Sequence, residues 1–262
     1  MMKMRGTLLP VAISGLVGLS LAGCSGDDKG SGGSSAKPAS AIAQAVLTGS
    51  TSGVAKGDYA LTVKAPDGTQ LLVIDAETKS GSVKANYESE GSPFTYDVVF
   101  LGNDRWMKMT VPGAPDPYDG KSWMHFDGSK VKGDAAKDLS IDTSHPDVLR
   151  LTELIAAATT VKGDATAVSG TIDGTKIAGD DGVISAADLK DAGQAATAIP
   201  FTAAMDGTGL LESLELDMPA TVDTEAGKWS FELSGYGEQT QQEKPTGAIK
   251  EMPASAYEML NG

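Results

Sequence analysis

Cysteine and histidine are nearly missing from this chain: one Cys and two His stand among 262 residues. A single thiol excludes any disulfide within the chain. With no cysteine pair, no H-E-x-x-H and no P-loop, the common metal and phosphate sites are excluded as well. No G-x-S-x-G turn presents a serine for Ser-His-Asp chemistry. The two histidines read as structural, His125 as a sheet residue in SWMHFD and His145 as a member of a first helical turn. Basic residues are also scarce, 21 Lys and Arg against 35 Asp and Glu, for a net charge of -14. Nucleic acid and anionic headgroup surfaces both bind through Lys and Arg, so neither is an expected partner. The expectation is a chain that is not an enzyme and that uses no cofactor or metal.

Long apolar runs are absent too, with one exception. Residues 8–21, LLPVAISGLVGLSL, hold no charge and follow a short stretch with Lys3 and Arg5 and no acid. The run is too short to cross a bilayer's hydrocarbon and is broken by Pro10 and glycines, so it reads as an export signal, residues 1–23. It closes on LAGC, residues 21–24, which resembles the lipobox of bacterial lipoproteins. There the cysteine thiol receives a diacylglycerol before cleavage on its N-terminal side. An unreacted thiol or a bond between chains would also use a lone cysteine, but neither explains why it falls directly after the apolar run. Cys24 is therefore the expected lipidation site, and the expected location is the extracytoplasmic face of the cell membrane. Residues 24–38 are rich in Gly and Ser and read as a flexible tether.

Residues 39–262 read as a single domain. Alternation of period two is clear in YALTVKA, SVKANYE, FTYDVVF, LESLELDM and KWSFEL, with Asp-Gly and Asn-Asp turns between such segments. One apolar and one polar face per strand predicts an antiparallel sheet, dry inside and wet outside. Residues 144–163 carry Val148, Leu151, Leu154, Ile155 and Ala158 at helical spacing, behind Ser144 and Asp147 at capping-box distance, with Gly163 as a stop. Shorter helices are predicted at 42–47, at 186–196 and near the end in PASAYEML. The fold class is α+β, a large curved antiparallel sheet over a few helices.

One stretch imitates a calcium loop. Asp181, Gly182, Ile184, Ser185 and Asp188 fit its second half, but Ile177 and Gly179 stand where the first carboxylates belong. The simpler reading makes Ser185 a helix cap completed by Asp188. Trp106, Trp123 and Trp229, with Met107, Met109, Met124, Met205 and Met218, suit either an adaptable apolar lining or ordinary core.

Lipobox, tether, opening helix, the run YDVVFLGNDRWMKMTVP before GKSW, and the paired strands around IPFTAAMDGTGLLESLELDMP together resemble actinobacterial lipoproteins of the LppX/LprAFG type. That family shares the LolA-like fold, a half-barrel sheet wrapped over helices. The resemblance implies a cavity between sheet and helices for a lipid or other hydrophobic ligand, and a role as carrier or chaperone in the envelope. Val98, Phe100, Leu151, Leu154 and Ile155 are the expected lining. A filled interior, with work done through the acidic outer surface, is the competing expectation.

Overall fold

A computed structural model describes residues 39–89, 92–132, 146–178, 184–221 and 225–261. The expected signal, tether, Cys24 and His145 lie outside the described residues, as do Ser144 and the stretch 179–183.

The chain opens with α1 (Ala39–Ser50), whose alanine content favours helix and whose Ala43, Leu47 and Ser50 turn one face inward. Its C-terminal carbonyls are satisfied by hydroxyls: Ser50 donates to Leu47 O at 2.8 Å and Thr51 to Thr48 O at 3.0 Å. Six strands follow, β1 (Asp58–Ala65), β2 (Gly68–Asp75), β3 (Ser80–Ser89), β4 (Ser92–Leu101), β5 (Asp104–Thr110) and β6 (Ser122–Asp127). Each pairs antiparallel with the next. Gly102, with φ of 56°, begins the two-residue turn between β4 and β5.

The second half contains α2 (Leu151–Ala156), β7 (Lys162–Gly163), β8 (Ala167–Ile172) and α3 (Ala186–Ala192). Then come β9 (Ile199–Met205), β10 (Leu211–Met218), β11 (Gly227–Ser234), β12 (Ala248–Glu251) and α4 (Ala254–Leu260). All twelve strands form one curved, unclosed sheet in the order β12-β6-β5-β4-β3-β2-β1-β11-β10-β9-β8-β7. The α+β class and the large curved sheet are as the alternation predicted. Both edge strands are short, which limits the unpaired backbone they present. Pairing is antiparallel throughout except for β12, which runs parallel to β6.

Two expectations are corrected. The long helix over 144–163 is only six residues, Leu151–Ala156. Asp147 starts it, its Oδ1 and Oδ2 accepting the N–H groups of Leu151 and Thr152 at 2.8 and 2.7 Å. Downstream, three β-branched residues in succession, Thr159, Thr160 and Val161, favour extension, and Ala158 bridges to Ile172. Gly163 does not cap the helix but lies in β7. The apolar stripe survives the change, since Leu151, Leu154 and Ile155 are all buried.

The outer face is not wholly wet either. Residues 235–247 cross it as a strap between β11 and β12. Gly237 N–H donates to Asp58 O, Gln239 N–H to Asp58 Oδ1 and Gln242 N–H to Ser80 Oγ, and Lys244 Nζ stands 5.7 Å from the Trp106 ring centre. Asp75, Ser80 and Trp106 are buried in consequence.

The buried cluster joins Ala43 and Leu47 of α1, Leu151, Leu154 and Ile155 of α2 and Leu189 of α3 to the inner faces of β1, β2 and β8 to β11. At its other limit it reaches Val83 and Phe100. Tyr59 and Tyr236 enter with their hydroxyls satisfied, by Pro146 O at 3.1 Å and Leu211 O at 2.6 Å, and burial raises the pKa of both. At the N-terminus of α3, Ser185 Oγ accepts the Asp188 N–H at 3.0 Å and donates to Asp188 Oδ2 at 2.7 Å, the capping box preferred over a calcium loop.

Candidate functional site

The expected lining residues divide into two groups. Phe100, Leu151, Leu154 and Ile155 are 0–3% exposed and belong to the closed cluster, whereas Val98 is half-buried at its margin. A groove of about 630 Å³ opens elsewhere, at the β7 to β10 edge, lined by Lys162, Ser169, Thr202, Ala204, Ser213 and Glu215. None of the five expected residues lines it.

Antiparallel partners directly opposite one another point to the same side of a sheet. The register therefore assembles four inner rows across β3 to β6. Gly81, Phe100, Arg105 and Phe126 form the first, and Val83, Val98, Met107 and Met124 the second. Ala85, Tyr96 and Met109 make the third, Tyr87 and Phe94 the fourth. Burial falls along this direction. Phe100 and Phe126 are closed off, as are Val83 and Ala85 on β3, while Val98, Met107, Met124, Tyr96, Met109, Tyr87 and Phe94 are all half-buried. The half-buried strip is apolar, continuous with the core, and about 13 Å long from Val98 to Phe94 at the usual strand rise.

At its open end three aromatic rings stack, Tyr87 on Phe94 at 5.4 Å and on Tyr96 at 6.1 Å between centroids. Burial, and then the neighbouring Tyr96 hydroxyl, push the Tyr87 phenol up to about 12, so it stays neutral. Tyr96 is raised as well, mainly by burial. Methionines on the adjoining strands supply flexible, polarisable surface. This arrangement can hold an apolar chain; it offers no nucleophile and no acid-base pair.

Alternation pointed to Val98, Phe100 and the methionines, and it could also have found Arg105. The NDR segment reads as a turn, yet Arg105 has the parity of Met107 and Met109, and so faces inward with them. It is buried, and its guanidinium carbon lies 5.5 Å from the Phe100 ring centre.

His125 lies on the opposite face. Its Nδ1 meets Glu251 Oε2 at 2.7 Å, its Nε2 meets Asp104 Oδ1 at 2.9 Å, and its ring stacks on Trp106 at 4.9 Å. It is the sheet residue expected, and it joins β5, β6 and β12. Desolvation lowers its pKa, but hydrogen bonds to Glu251 and Asp104 outweigh that and the net direction is up from 6.5. A raised folded pKa means that the stabilisation is complete below 6.5 and is lost as the pH rises through the raised value. The β12 amides should accordingly exchange with deuterium faster, relative to the rest of the sheet, on the alkaline side of that value. His125→Gln should abolish the pH dependence; an unchanged profile in the variant would remove His125 as its source.

Many of the acids have a local task. Asp164, Asp173 and Asp206 each accept both the backbone N–H and the hydroxyl of a threonine two residues on, Thr166, Thr175 and Thr208. Those bonds hold their pKa values below the usual carboxylate range. Such acids shape turns.

Neither a protein-family model nor a curated protein matches the chain. Its reading therefore rests on geometry and chemistry. Among the described residues no group of three His, Cys, Asp or Glu is placed to hold a metal ion, and no helix is long and apolar enough to cross a membrane.

Proposed function

We propose that this is an extracytoplasmic lipoprotein, anchored to the cell membrane through lipidated Cys24. On this reading its body is LolA-like and binds a lipid or other hydrophobic ligand on the inner side of the sheet, as a carrier or chaperone in the envelope. The supporting observation is the half-buried strip of Val98, Tyr96, Phe94, Tyr87, Met107, Met109 and Met124, apolar along its length and open at one end. Removing an alkyl chain from a membrane requires re-burial of nearly all of it, at about 0.8 kcal/mol per CH2. The strip supplies one apolar wall for such a chain, and its methionines can adjust to an irregular tail.

A second reading, a non-catalytic envelope interaction or regulatory protein, is favoured by a different observation: four of the five expected lining residues are sealed inside the core. Native mass spectrometry of the Cys24→Ala chain, purified without detergent, separates the two. The carrier should retain a lipid-sized adduct, and Met109→Glu, which places a charge on the strip, should remove it. A bare mass together with no uptake of an added alkyl-chain probe would reject the carrier and leave the interaction protein.

A further inference from the structure

We infer that the inner strip takes an amphiphile with an anionic head, a long-chain carboxylate, and that Arg105 is the residue that recognises the head. This rests on the inner strip being the ligand site. Arg105 sits in the innermost row, between Phe100 and Phe126, and is 8% exposed. Its Nη1 donates to the carbonyls of Gly102 and Asp104, and its charge lies beside the Phe100 ring. Among the described residues no carboxylate forms an ion pair with it. Its neighbour Asp104 points to the other face of the sheet and pairs with His125.

A buried cation without an anion is unfavourable unless its donors are satisfied. Capping the β4–β5 turn occupies Nη1 alone; among the described residues Nε and Nη2 have no hydrogen-bond partner, and neither is a fully buried atom, so both stay reachable from outside. Those two donors form one side of the guanidinium fork, the arrangement that binds a carboxylate through both oxygens. Burial destabilises the charge, and Asp104 partly counters this, so the Arg105 pKa falls; a bound carboxylate would relieve the penalty. From a head placed there, the tail would run over Val98, Met107 and Met124, then Tyr96 and Met109, to the stacked rings of Tyr87 and Phe94. A reachable cation at one end and an apolar strip beyond it thus fit one ligand.

The test compares dodecanoate with dodecanol by titration calorimetry on the Cys24→Ala chain, at a pH where the acid is fully ionised. Dodecanoate should bind tighter by about tenfold or more, the ordinary range for a charge-assisted hydrogen bond. Arg105→Met should bring the acid to the level of the alcohol and leave the alcohol unchanged. Should that variant fail to fold, Arg105→Gln replaces it in the same comparison. Equal affinity for both ligands, or an acid preference that survives the substitution, overturns the role of Arg105 while the hydrophobic site stands. Failure of both ligands to bind overturns both readings.

Discussion

Phe231→Ala is expected to destabilise the folded chain by about 3–5 kcal/mol, the usual cost of deleting a closed aromatic side chain. Phe231 is 0% exposed on β11, in register with Val63 on one side and Leu214 on the other. These strands join β1 to the second half of the sheet, where the helices are packed, so the space left by the ring cannot collapse freely. Urea titration should show a lower midpoint with little change in slope. Phe94 supplies the contrast, with the same chemistry on the half-buried end of β4. Phe94→Ala should cost much less, because the ring already meets water. Equal losses at the two sites would contradict the gradient of burial that makes the strip a candidate site.

Cys24→Ala is expected to abolish membrane retention and incorporation of labelled fatty acid. Acyl chains on Cys24 are the attachment proposed above. A net charge of -14 opposes adsorption to anionic lipid, and among the described residues no helix can span the bilayer. Two acyl chains hold firmly where one is marginal, so losing the thiol proposed to carry the diacylglycerol should move the protein from membrane to soluble fraction. Fractionation of cells expressing either form provides the measurement. Retention that persists without label would remove the anchoring role.

Most strands were legible in the sequence because their signal is local. Tyr59, Leu61 and Val63 alternate with Ala60, Thr62 and Lys64, and burial follows the same alternation. The cap at Ser185 and Asp188 was legible for the same reason, three residues sufficing to make it. Helical spacing in 144–163 misled because the stripe and the backbone are separate matters. The apolar residues do face the core, but β-branched Thr159, Thr160 and Val161 take the chain into extended pairing.

Arg105 was missed although its parity was visible, because a turn was a sufficient account of NDR. Nothing within ten residues of it announces Phe126, its partner across β5 and β6. Likewise, Trp106, expected as lining or core, lies instead on the outer face opposite His125, where Lys244 and the strap cover it.

By itself the sequence determined the strand faces, the short caps, the acidic charge and the lone thiol behind an apolar run. Each depends on residues a few positions apart. Tertiary structure alone decided that β1 lies beside β11, that β12 runs parallel to β6, and that β3 to β6 keep an apolar strip half open. The first two depend on pairings between segments more than a hundred residues apart, whose register no local periodicity encodes, and the third on how far the packed core extends along the sheet.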